Sequence, residues 1–322
     1  MGVAALVIGP DSTVAVLGAS GFLGSHLVDT LLATGCRIKA FSRSGAGLLS
    51  HAALEDPKLL LGRLDLGDPK ADFEACLEGV SICFHLISST VPSSSNLDPC
   101  ADVSSNLLGT LRLLEAARRQ GVQRLIFTSS GGTVYGRPRQ VPIPEDHPTD
   151  PTCSYGISKL AIEKYLALYR QLHGIESMVL RVANPYGERQ RPVASQGAVA
   201  VFLARAMQSQ PIEIWGDGTV VRDYVHVADV IAAMLAAVPY AGAESVFNIG
   251  SGAGLSLNQL VQAIAAELGL DPVVRYRPGR SFDVPSNILE IARARRELGW
   301  QPSVSFAEGL SRMRSCHLLA ST

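Results

Sequence analysis

A chain of 322 residues, 47% hydrophobic and 18% charged, is long enough to bury one large core or two joined ones. Its formal net charge of -1 leaves no basic surplus for nucleic acid, so an anionic ligand must be held by local arginines. No apolar run reaches the roughly 20 residues of a membrane span. The six cysteines (36, 76, 83, 100, 153, 316) make no CxxC or metal spacing, as expected of reduced thiols in a cytoplasmic protein.

Residues 3–8 are apolar but lack the basic flank of a signal peptide, so 1–11 reads as an extension with room for a short extra strand. Residues 13–17 (TVAVL) read as a buried strand, followed by Gly18-Ala19-Ser20-Gly21-Phe22-Leu23-Gly24 and a helical pattern through Leu32. Glycines spaced GxxGxxG between a strand and a helix predict a dinucleotide site. They permit the tight turn and bring backbone N–H groups and a helix N-terminus to a pyrophosphate. Residues 37–41 form the second strand, whose end meets the adenosine ribose. An acidic residue there would bind the 2′-hydroxyl of NAD. Here stand Ser42 and Arg43, so nothing repels a 2′-phosphate and a guanidinium is near.

Residues 59–64 read as a third strand ending at Asp65-Leu66, and 81–87 as a fourth, containing His85 and Leu86. His85 reads as a satisfied strand-end histidine. Residues 102–119 are amphipathic, with Asn106 on the first turns. Residues 123–127 form a fifth strand, followed by Thr128-Ser129-Ser130-Gly131-Gly132-Thr133-Val134-Tyr135-Gly136. Alternating strands and helices predict an α/β fold with a doubly wound parallel sheet, and ligands bind at the carboxyl ends of such strands. Tyr155 and Lys159 are four apart, one turn of a helix. An ammonium beside a phenol favours the phenolate, so the pair is expected to lower the Tyr155 pKa for proton transfer.

These motifs, in this order, resemble the extended short-chain dehydrogenase/reductase superfamily and, more narrowly, its NAD-dependent epimerase/dehydratase family. The resemblance runs from about Val14 to Leu310. It continues through Leu180–Gly187 (LRVANPYG), Gly216–Asp229 (GDGTVVRDYVHVAD) and Arg295–Trp300 (RRELGW). It implies a Rossmann domain of residues 1–182 plus about 226–250, the latter a helix and a strand returning to the sheet. A smaller, discontinuous C-terminal substrate domain would comprise 183–225 and 251–322. Helices near 102–120 and 154–173 match those that pair in family homodimers.

The resemblance also assigns roles. Tyr155 is the general base and acid, and Lys159 supports it and holds the nicotinamide ribose. Ser130, three past Phe127, hydrogen-bonds the reacting oxygen, with Ser129 the alternative because the turn carries one extra glycine. Cofactor contacts fall on Gly18, Ser20, Gly21, Phe22, Leu23, Gly24, Ser42, Arg43, Asp65, Leu66, Leu86 and Asn106. Asn184 contacts substrate, and Arg222 with Arg280 binds the diphosphate of a nucleotide sugar. Counting past Arg280 and Asp283, Asn287 matches the position beside the sugar C2 substituent, where an amide could receive an acetamido group. The implied activity is a nucleotide-sugar epimerase of the UDP-hexose 4-epimerase type with bound NAD, and NADP tolerated through Ser42 and Arg43. Dehydratase and decarboxylase relatives carry carboxylates where this chain has Gly131-Gly132. An NAD(P)H-dependent reductase of a keto nucleotide sugar is the alternative, and a non-catalytic nucleotide-binding protein the third reading.

Overall fold

A computed structural model describes residues 6–192, 197–279 and 284–320. Its centre is a seven-stranded sheet made of β1 (Thr13–Leu17), β2 (Arg37–Ser42), β3 (Leu59–Arg63), β4 (Ile82–His85), β5 (Arg124–Ser130), β6 (Glu176–Val182) and β10 (Val246–Ile249). The order is β10-β6-β5-β4-β1-β2-β3, and every pair is parallel.

Strand periodicity explains why both faces are covered. Val14 and Val16 join one buried cluster with Leu27, Leu31 and Val230, while Ala15 and Leu17 join another with Leu113, Phe127 and Leu166. Successive side chains of a strand point to opposite faces, so each face needs its own helices. The helices Phe22–Ala33 and Val227–Ala236 cover the first; Gly109–Gln120 and Ser154–His173 cover the second.

After Val182 the chain leaves the sheet. Strands β7 (Asn184–Tyr186), β9 (Val221–His226), β11 (Gly254–Ser256) and β13 (Ser286–Asn287) form a second sheet with β9 at its centre. Strands β8 (Ile212–Trp215) and β12 (Val274–Arg277) pair beside it. This part has its own core, with Ile212, Ile214, Tyr224, Leu260 and Ile264. The helix Val227–Ala236 packs back on the first sheet, and β10 joins that sheet beside β6.

Three local readings change. β5 stays paired to β6 through Ser130↔Val182, so both serines lie on the strand rather than beyond it. The predicted 102–119 helix is Pro99–Asp102, a π-helical stretch Val103–Leu108, then Gly109–Gln120. Its packing is tight: a Cβ on Gly109 would lie 2.3 Å from the Leu66 carbonyl oxygen. No strand occurs among described residues 6–11, where Leu6 and Ile8 pack loosely against the core. Among the described residues no helix is long and apolar enough to cross a membrane.

Candidate active site

The glycine loop is a cradle that side chains would fill. Gly18 has φ +91°, and a Cβ there would lie 3.2 Å from the Leu86–Ile87 backbone. A Cβ on Gly24 would lie 2.1 Å from the Gly18 carbonyl oxygen. The helix Phe22–Ala33 is N-capped by Gly21 with no side-chain cap and no acidic residue in its first turn. Its N-terminal N–H groups and dipole are thus available to an anion, which fits a dinucleotide pyrophosphate. The loop after β2 folds back onto this cradle: Leu48 N donates to the Ser20 carbonyl at 3.1 Å. Ser42 is buried and donates to the Gly45 carbonyl at 2.7 Å, while Arg43 is exposed. Asp65 accepts from Gly67 N at 3.0 Å; Leu66 points its side chain into the core, so only its backbone can meet an adenine.

Asn106, expected at the cofactor, has its amide hydrogen-bonded within the protein. It is 5% exposed; its Oδ1 accepts from Ser89 N, and its Nδ2 donates to Thr90 Oγ1 and Asp102 Oδ1. It pins the Ser88–Thr90 loop. Asp102, fully buried, also accepts from Ser154 Oγ at 2.9 Å and Ser158 Oγ at 2.6 Å. Those serines bracket Tyr155, so this carboxylate sets how the Tyr155 helix is rotated. Sequence reasoning missed it, although the Asp102/Asn106 and Ser154/Ser158 spacings of four were visible.

Lys159 is buried, with Nζ donating to the Thr128 carbonyl at 2.8 Å, over the Phe127 ring at 4.6 Å and 5.7 Å from the Tyr155 ring centroid. Burial pulls its pKa down to about 8, against the support of Glu163 and Asp102. Burial pushes Tyr155 up to about 12, opposed by a hydrogen bond with Ser88. The expected lowering of the Tyr155 pKa by Lys159 is not seen: burial raises it, and the ammonium is aimed at Thr128. His85 is fully buried, with Nε2 2.9 Å from Thr110 Oγ1 and Nδ1 without a partner among the described residues, so the histidine read as satisfied is satisfied at one nitrogen only, and burial lowers its pKa to about 3.

The two serines face different surroundings. Ser129 is buried and donates to Glu163, which pairs with Arg181 at 2.7 Å. Ser130, the next residue on the pleat, is partly exposed. Its turn packs on the Tyr155 helix: a Cβ on Gly156 would lie 2.9 Å from the Thr133 carbonyl oxygen. Glu163, one turn past Lys159, is a second residue that sequence reasoning missed.

On the substrate side, Asn184 Nδ2 donates to the Asp223 carbonyl at 2.9 Å, and Arg222 Nη1 donates to the Val284 carbonyl at 2.7 Å. Asp223 is fully buried and takes donors from Ser251, Gly252 and Leu289, fixing β9 beside Arg222. Arg280 lies outside the described residues. Asn287, expected beside the sugar C2 substituent, is 2% exposed; its Nδ2 donates one N–H to the Gly131 carbonyl at 3.1 Å, and its Oδ1 has no partner among the described residues.

Residues 14–250 match the NAD dependent epimerase/dehydratase family. The chain belongs to that family. It is 38% identical over 301 residues to a UDP-glucose 4-epimerase of Mycolicibacterium smegmatis, covering 92% of this chain and 96% of that one. The UDP-glucose 4-epimerase of Thermotoga maritima, solved with UDP-glucose, superposes with a TM-score of 0.90 at 35% identity, covering 96% of this chain and all of that one. The Thermus thermophilus UDP-glucose 4-epimerase, solved with NAD, has a TM-score of 0.85 at 33% identity, covering 94% and 98%.

Proposed function

We propose that this protein is a UDP-hexose 4-epimerase that oxidises and re-reduces C4 of its sugar with retained NAD. The observation that carries the reading is the Ser130 turn packed on the helix of Tyr155 and Lys159, with no carboxylate anywhere in residues 128–136. Elimination of water needs an additional acid and base, and that turn has neither.

NAD, when bound, supplies the reversible hydride acceptor. The chain's own groups handle the rest. Tyr155 takes the hydroxyl proton as the keto sugar forms and returns it afterwards. Burial keeps the Tyr155 phenol protonated at rest, with a pKa of about 12, and the Lys159 ammonium 5.7 Å from its ring favours the phenolate as the proton leaves. Ser130 hydrogen-bonds the same oxygen. Arg222, with Arg280, holds the diphosphate, and Asn184 the substrate beside it. Ser42 and Arg43 favour the second reading, a reductase that exchanges NADPH each turnover.

Purified protein separates the two readings. Nucleotide that stays bound through gel filtration, with interconversion of UDP-glucose and UDP-galactose, is the expected result. An empty protein that consumes NADPH against a 4-keto sugar and does not epimerise would sink the proposal. A homodimer contact would use the outer faces of Gly109–Gln120 and Ser154–His173, where Leu168 and Leu172 are exposed and Leu111, Tyr165 and Tyr169 line a groove of about 530 Å³. Light scattering at twice the chain mass supports that contact; a monomer refutes it. The buried free thiols Cys36, Cys76 and Cys83 suit a reducing cytoplasm.

A further inference from the structure

We infer that Asn287 is a positioning residue for the catalytic serine, holding the Ser130–Gly131 turn in place from the substrate domain. The inference rests on the epimerase reading. Gly131 follows Ser130 directly, and its peptide groups are tied on both sides. Its N–H donates to the Val182 carbonyl at 2.9 Å, and its carbonyl accepts from Asn287 Nδ2 at 3.1 Å. The first tie comes from β6 of the large sheet, the second from β13 of the small one. A Cβ on Gly131 would lie 2.5 Å from Leu289 Cδ1, so Leu289 packs directly against this glycine. Two successive glycines leave a turn conformationally free unless something outside it holds it.

The neighbour of Asn287 matters as much as its partner. In the β9–β13 ladder Asn287 stands opposite Arg222, whose side chain donates to Val284 at the start of the same segment. The residue that holds the diphosphate and the residue that holds the Ser130 turn therefore belong to one pair of strands. Seating the nucleotide and aligning the serine are parts of one arrangement.

Apolar burial does not explain the choice of residue. Asn287 Oδ1 is buried with no hydrogen-bond partner among the described residues, and an unsatisfied buried acceptor costs free energy that a leucine of similar size would avoid. The amide N–H is what leucine lacks.

The test is a double-mutant cycle on the full chain, with Asn287→Leu and Asn287→Ala each made in the parent and in Ser130→Ala. UDP-glucose epimerisation gives kcat and KM, UDP calorimetry gives the nucleotide Kd, and melting gives Tm. A hydrogen bond of this kind is worth about tenfold. The expected result is a tenfold fall in kcat in both Asn287→Leu and Asn287→Ala, with KM and the UDP Kd held. In Ser130→Ala the same substitutions should change kcat by less than twofold. A full tenfold loss repeated in the Ser130→Ala background overturns the inference, as does a rise in KM at constant kcat, which would return Asn287 to the sugar pocket. Ser130→Ala with undiminished kcat removes the serine's role, and this inference with it, while leaving cofactor retention and Tyr155 to judge the epimerase reading separately.

Discussion

The glycine cradle and the proposed catalytic turn at Ser130 are built in opposite ways. The cradle is local: Gly18, Gly21 and Gly24 lie within seven residues, and the contacts that require them are largely with each other's backbone. The catalytic turn is assembled from afar. Ser129 is held by Glu163, Gly131 by Asn287 and Val182, and the Tyr155 helix by Asp102. A local device fails when its own backbone is altered; an assembled one fails when a distant partner is.

The sharpest test of that contrast is Tyr155→Phe. Removing the proton carrier should lower kcat about 10²–10⁴-fold while nucleotide retention is unchanged, as absorbance of the gel-filtered protein will show. Activity near the parent's level would dissolve the assembled site as described. Gly24→Ala should do the converse, with loss of retained cofactor, because its Cβ would lie 2.1 Å from the Gly18 carbonyl oxygen. Normal NAD binding in that variant would show that the cradle yields more than its contacts allow.

Next in size is Arg222→Ala. Losing a charge-assisted phosphate contact should weaken UDP-glucose binding by about 1.5–3 kcal/mol and leave cofactor affinity alone. Equal losses by calorimetry would place Arg222 in the framework rather than the site.

A pH experiment probes the buried lysine. Lys159 has a folded pKa of about 8, below its unfolded value. Between those values the unfolded chain binds more protons, so stability from this group rises with pH above about 8. Below that, its burial penalty is present in full. The parent's Tm should therefore gain on that of Lys159→Met from pH 8 to 10; parallel curves would mean that the ammonium is better solvated than its burial implies. The smallest effect belongs to Arg43→Ala. An exposed guanidinium should shift the NADP-to-NAD affinity ratio by only about threefold, in line with surface ion pairs, and an unchanged ratio would separate Arg43 from the 2′-phosphate.

Much of this molecule could be read from its chain because the signals are periodic or contiguous. Alternating apolar residues place β1, the glycine spacing places the turn after it, and a four-residue step sets Tyr155 and Lys159 on one helical face. The environment of those groups could not be read. Lys159 beside Tyr155 predicts a lowered phenol pKa, yet burial raises it, because desolvation depends on what surrounds both groups in three dimensions. Asn106 and Asn287 read as ligand contacts in the chain, and only the fold shows that each also ties backbone segments together. Ser129 and Ser130 are indistinguishable as neighbours; only the pleat, and Glu163 waiting on one face of it, separates them. Sequence determines which groups exist and their local spacing. Tertiary structure decides which of them face water, which face each other, and so which are left to meet a substrate.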